Sequence, residues 1–190
     1  LGRVDEPVVR EWRPAWPCPV ASVWSSLRRG AGDPTYRLID GVHWRGIRTP
    51  TGAATLAVEA QSGLGVVTAR AWGEGAQWAL DRLPAMLGGD DDLTGFDPAH
   101  PVLRDAAHRF PHWRVGRSGL VWEALCPAII EQKVTGQEAF GGFRRLVRRH
   151  GEAAPGAGAG LDLWLQPTPH AVAMVPSWEW LKLGVDSGRS

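Results

Sequence analysis

The chain has 190 residues, 44% of them hydrophobic, with 21 Lys plus Arg against 20 Asp plus Glu. This is the composition of an ordinary globular protein able to bury a core. A net charge of +1 excludes a global positive field, so any face that meets nucleic acid must be local. Cys18 and Cys126 are few and far apart, and no basic and apolar leader or bilayer-length apolar run is present. The expectation is a reduced, cytoplasmic protein, neither exported nor membrane-inserted.

In chain order, Val8 to Trp12 reads as a strand and Val20 to Arg29 as a short helix stopped by Gly30. Four strand candidates follow. Tyr36 to Ile39 and His43 to Arg48 flank an Asp40-Gly41 turn, Thr55 to Ala60 follows Pro50-Thr51-Gly52, and Val66 to Trp72 follows Gly63-Leu64-Gly65. Their even spacing and short connections predict an antiparallel meander. Glu74 to Leu87 has helical periodicity in Trp78, Leu80, Leu83 and Leu87, with a kink expected at Pro84 and an exit at Gly88-Gly89. The fold class expected is α+β: an N-terminal antiparallel sheet domain with covering helices over 1–95, then a helical domain over 96–190.

The helical part begins with Val102 to Phe110 and continues through Val121 to Glu131 and Gly136 to His150. Glu152 to Gly160, rich in Ala, Gly and Pro, reads as a mobile connection. Pro169 to Met174 and Ser177 to Lys182 are short helical pieces. Within this part the stretch VWEALCPAIIEQKVTGQEAFGGFRRLVRRHGE, Val121 to Glu152, carries the most information. Trp122, Leu125, Ile129 and Ile130 recur at helical spacing. Thr135 followed by Glu138 is a capping box that starts a second helix, which leaves Glu131 to Val134 as a tight polar turn. Phe140, Phe143, Leu146 and Val147 form the apolar face of that helix, and Arg144, Arg145, Arg148 and Arg149 its basic remainder. Such a run suits the helix dipole and can neutralise phosphates, or can simply be a solvated face.

The segments AIIEQKVTGQEAF, PHWRVGRSGLVWEAL and QPTPHAVAMVPSWEWLKLGV resemble, in order and spacing, bacterial 3-methyladenine DNA glycosylases of type II. These are the inducible alkylation-repair enzymes of the helix-hairpin-helix superfamily. The resemblance implies a DNA base-excision repair hydrolase that cleaves the N-glycosidic bond of alkylated purines such as 3-methyladenine. It implies double-stranded DNA containing alkylated bases as partner, a monomer, and no metal or organic cofactor. By the same resemblance Gln132, Lys133, Val134, Thr135 and Gly136 form the DNA-binding turn, which enters the minor groove and fills the gap left by an extruded base. Gln132 reaches the base pocket. Filling that gap offsets part of the few kcal/mol that extraction costs. The family's best-known members carry an apolar wedge where this chain has Lys133, whose stem can fill space while its ammonium reaches a phosphate.

Such proteins also carry a Gly-rich hairpin and then a catalytic aspartate beyond the segments matched here. The chain is therefore expected to be a fragment, inactive in excision alone, with no catalytic residue of its own and with Asp186 not in that role. The alternative is a non-catalytic DNA-binding or lesion-sensing module; a third reading, an unrelated α+β scaffold, would be supported by a purely acidic surface around Gln132.

Other groups attract weaker readings. Asp90, Asp91 and Asp92 lack the spacing of a calcium loop and read as an acidic interdomain turn. His108 and His112 have the separation of a helical metal pair, but Pro111 intervenes and no further ligand follows. Arg114 and Arg117 precede the hairpin and are candidates for backbone contacts. Of the 11 tryptophans, Trp12, Trp44, Trp72, Trp78 and Trp122 lie in apolar patterns where burial is expected. An electron-rich ring can also stack on a cationic alkylated base.

Overall fold

A computed structural model describes residues 6–61 and 65–186. The Gly63-Leu64 part of the expected break and the Gly-Ser-Arg tail lie outside the described residues. Five strands, β1 (Val8–Trp12), β2 (Tyr36–Ile39), β3 (Val42–Thr49), β4 (Gly52–Gln61) and β5 (Val66–Trp72), form one antiparallel sheet in the order β1-β5-β4-β3-β2. The β2–β3 turn pairs Ile39 with Val42. It needs two residues in the left-handed region, which Asp40 (φ 49°) and Gly41 (φ 80°) supply.

Alternation along β4 divides its side chains between two faces. Ala54, Leu56 and Val58 join Val67, Ala69 and Ala71 of β5 in the main core. That core is closed by α1 (Val20–Trp24) and α2 (Ala76–Met86). The inward residues Ala76, Ala79, Leu80, Leu83 and Met86 recur at helical period, and all are buried. The helix expected to reach Arg29 instead ends at Trp24 and continues as a 3-10 turn, Ser25–Leu27. Trp24 is fully buried, and its indole N–H donates to the Met86 carbonyl at 3.2 Å, which satisfies its only polar atom. Of the tryptophans expected inside, Trp72 is buried, whereas Trp12, Trp44, Trp78 and Trp122 are half-buried. Rings of that size reach the surface at one edge.

The helical half contains α3 (Pro101–Arg109), α4 (Val121–Ile130) and α5 (Gly136–His150). Cys126 and Ile130 of α4 pack on Phe143, Leu146 and Val147 of α5 and on Val175, Trp180, Leu183 and Val185. Two short helices complete it, α7 (Pro169–Ala173) and α8 (Ser177–Lys182).

The Ala-Gly-Pro connection is not the mobile loop its composition suggests. It forms β6 (Glu152–Ala153), paired with β7 (Trp164–Leu165), and the single turn α6 (Ala157–Gly160) between them. Its Ala154 to Gly158 stretch and β7 lie against the outer face of the large sheet. The Thr55 hydroxyl donates to Pro155 O at 2.6 Å, and Trp44 and Trp72 stack beneath with centroids 5.6 Å apart. Small residues permit this approach: a Cβ on Gly46 would sit 2.3 Å from Trp164 O, and one on Gly158 2.3 Å from the Thr55 hydroxyl.

Candidate nucleic-acid interface

Helix α4 ends at Ile130, and the backbone N–H of Gln132 closes its last turn on Ile129 O at 3.2 Å. The chain then reverses through Lys133, whose φ of 57° places a side-chain-bearing residue in the left-handed region. That conformation costs about 1 to 2 kcal/mol for an L-residue other than glycine. Thr135 starts α5 as a complete capping box. Its hydroxyl accepts from Glu138 N at 3.4 Å, while the Glu138 carboxylate accepts from Thr135 N at 3.0 Å. Among the described residues the backbone N–H groups of Gly136 and Gln137 have no acceptor. They stand at the positive end of a 15-residue helix.

Gln132, Lys133, Thr135 and Gly136 are exposed, and Val134 is half-buried. Val134 therefore anchors the turn while its neighbours project. The side chains of Gln132 and Lys133 make no hydrogen bond or ion pair to any described residue. The surface around them is mixed in charge. Glu131 and Glu138 are acidic, but the first pairs with Arg29 at 3.2 Å and the second is held by the cap. That is not the purely acidic surface of an unrelated scaffold.

The arginines of α5 divide sharply. Arg145 donates to Leu183 O at 2.8 Å, Arg149 pairs with Glu179 at 2.9 Å, and Arg148 forms a two-armed pair with Asp162. The Arg148 guanidinium and the Trp164 indole N–H hold the Asp162 carboxyl far below its usual range. Arg149 likewise lowers Glu179. These three arginines stitch the helical half together and to its connector. Arg144 alone of the four has no hydrogen-bond or ion-pair partner among the described residues, and its guanidinium lies over Gly32.

Similar corrections apply upstream. Asp90 pairs with Arg117 at 2.6 Å. Asp91 accepts from Val115 N at 2.8 Å, and its carbonyl accepts from Arg114 at 2.5 Å. The acidic turn therefore binds the Arg114–Arg117 segment intramolecularly, while the Arg117 side chain stays 66% exposed. Among the described residues no group of three or more His, Cys, Asp or Glu is placed to hold a metal ion. Cys18 and Cys126 are free thiols, raised by burial to about 11 and about 12, and so neutral at ordinary pH.

Two connections between the halves were not singled out from the sequence. Arg45 of β3 pairs with Glu123 in the first turn of α4, with only 4% of the Arg45 side chain exposed. Arg29 grips Glu131 at the other end of the same helix. A signal existed, because a lone carboxylate such as Glu123 inside an apolar helical run requires a partner. A crevice of about 360 Å³ follows this seam, lined by Arg29, Arg45, Glu123 and Gln166 among others. A second groove, about 980 Å³ and lined by Phe96, Leu103, Phe110 and Trp113 among others, includes no residue of the turn.

No protein-family model and no curated protein sequence matches this chain. Solved structures share its fold. A 3-methyladenine DNA glycosylase from Archaeoglobus fulgidus superposes with a TM-score of 0.76 at 18% identity, over 95% of this chain and 63% of that one. A structure of MBOgg1 in complex with a low-affinity DNA ligand gives 0.66 at 13% identity, over 94% of this chain and 60% of that one. The chain thus spans about three-fifths of the length of these structures. At such identities the likeness establishes the fold alone: this is a DNA glycosylase fold.

Proposed function

We propose that this chain belongs to a DNA base-excision repair glycosylase acting on alkylated purines such as 3-methyladenine, with Gln132 to Gly136 as its DNA-binding turn. The observation that carries the reading is the α4–α5 turn, seated on a glycosylase fold. It exposes Gln132 and Lys133, whose side chains have no hydrogen-bond or ion-pair partner among the described residues, and holds Lys133 at positive φ. Backbone strain of this kind is kept where surrounding structure imposes it, and it concentrates at functional sites. On this reading the turn enters the minor groove of double-stranded DNA as a base is flipped out. Gln132, able to donate and accept, meets base edges at the pocket. Lys133 combines a space-filling stem with a phosphate contact, and the open N–H groups of Gly136 and Gln137 take a second phosphate.

The same reading keeps the division into a sheet domain over 1–95 and a glycosylase domain over 96–190. Separate cores in the two halves support it. It also holds that these 190 residues bind DNA without releasing the base, as a monomer and without metal or organic cofactor. The acidic groups flanking the turn, Glu131 and Glu138, are already engaged.

Binding to duplex DNA over a range of salt concentrations tests this. Wild type is expected to bind with an affinity that falls as salt rises, and Lys133→Ala to flatten the log-log slope by about one counterion. Absence of salt-dependent duplex binding would overturn the proposal. Release of 3-methyladenine from alkylated DNA by this chain would overturn its non-excising part and direct attention to an acid within these residues.

A further inference from the structure

The turn that carries Gln132 and Lys133 is not held by its own two helices alone. The loop over 28–34, which leads from the 3-10 turn into β2, packs beside it, against Glu131 at the end of α4 and Phe140 and Arg144 of α5. Asp33, only 1% exposed, shapes this loop. Its carboxylate accepts from Arg29 N at 2.7 Å, from Thr35 N at 2.8 Å and from the Thr35 hydroxyl at 2.8 Å. A buried carboxylate with three donors is satisfied, and it locks the backbone that supplies them. Arg29 is thereby oriented, and its guanidinium donates to Leu27 O at 2.6 Å and to Glu131 at 3.2 Å.

The loop backbone also presses on the start of α5. A Cβ on Gly30 would lie 3.2 Å from the Phe140 ring, and one on Gly32 2.6 Å from the Arg144 guanidinium carbon. At the far end of α4 the part-buried Arg45–Glu123 pair forms the other attachment to the sheet. The lever between them is short but consequential. A ten-residue helix is about 15 Å long, so a tilt of about 5° about Glu123 would carry the turn by more than about 1 Å. Displacements of that size separate productive from unproductive geometry at a reacting site.

We propose that Arg29 is a positioning residue: the 28–34 loop clasps Glu131 and so determines where Gln132 and Lys133 project into DNA. This inference rests on the base-extruding reading above. The sheet half then acts as the fixture that aims the hairpin.

The test uses the 190-residue chain and a duplex containing 2-aminopurine, whose fluorescence rises when the base leaves the stack. Anisotropy on unmodified duplex and thermal melting run in parallel. Arg29→Met and Glu131→Gln are each expected to cut the fluorescence rise about two- to fivefold, the scale of one partly exposed ion pair. Duplex affinity and melting should stay near wild type, and the double variant should lose no more than either single one, the signature of a shared contact. Glu131 is exposed, so its variant remains folded even if loss of Arg29 loosens the loop. Variants that match wild type, or losses that add, would overturn the clasp. A wild-type chain that binds duplex without any fluorescence rise would remove the base-extruding reading, and the clasp with it.

Discussion

Leu56 and Leu125 are the same residue type in elements of clear apolar periodicity, yet Leu56 is fully buried and Leu125 is 47% exposed. The contrast holds for their surroundings. In the sheet half, both faces of β4 are covered, by α1 and α2 on one side and by the connector on the other. In the helical half α3 has no buried residue, and α4 presents Val121 and Leu125 outward one turn apart. Trp178 and Leu181 of α8 do the same. The central strands of the sheet half bury their apolar groups and its edge strands expose Val8, Val9, Leu38 and Ile39, whereas in the helical half even the helix that leads into the polar turn exposes Val121 and Leu125. On the proposed reading, one half is a fixture and the other a working surface.

Substitutions at the seam should break that division most severely. Arg45→Met leaves Glu123 without its partner and is expected to cost about 3 to 5 kcal/mol by urea unfolding, while adding Glu123→Leu should recover most of the loss. No recovery would mean that Arg45 acts through its packing on Trp24, 5.1 Å from the ring centroid, rather than through charge. The two leucines sharpen the comparison directly. Leu56→Ala should cost about 2 to 5 kcal/mol, and Leu125→Ala no more than about 0.5 kcal/mol. Equal losses would show that the outer face of α4 is covered in solution. Thr135→Ala removes one side of the capping box and should cost about 1 kcal/mol, read as a lower melting temperature together with loss of helical signal.

Acidification should give the smallest response, and a different onset in each region. His43 lies buried in the sheet half, where its Nδ1 faces the Tyr36 hydroxyl at 2.5 Å; burial and then Arg28 lower its pKa. Its unfolded form therefore takes the proton first. Its contribution to stability is full above about 6.5 and is lost as pH falls from there toward its depressed folded value. Asp162 ties α5 to Arg37 of β2 and has a depressed carboxyl pKa. Its contribution is full above its ordinary 3.8 and is lost only as pH falls further. Tryptophan fluorescence and far-ultraviolet dichroism followed from pH 8 to 3 would separate the two, and loss of the seam before the His43 region would reverse this assignment.

The residues alone determined much of the fold because its strongest signals are local. Alternation and the Asp40-Gly41 pair specify the meander, and Val8–Trp12, Val66–Trp72 and Gly136–His150 fall where their patterns end. The capping box from Thr135 to Glu138 depends on three-residue spacing, so the hairpin turn was legible before any tertiary contact was known. Relations between distant segments emerge only in the packed chain. Arg148 and Arg149 read as a run that either faces phosphates or is simply solvated, and only the packed chain brings Asp162 and Glu179 from other elements to pair with them. The Ala-Gly-Pro connection reads as mobile because composition cannot reveal that Gly46 and Gly158 leave room for it on the sheet. Arg29 and Arg45 stand 102 and 78 residues from their carboxylates. No periodicity reaches that far, and only the packed chain brings the charges together.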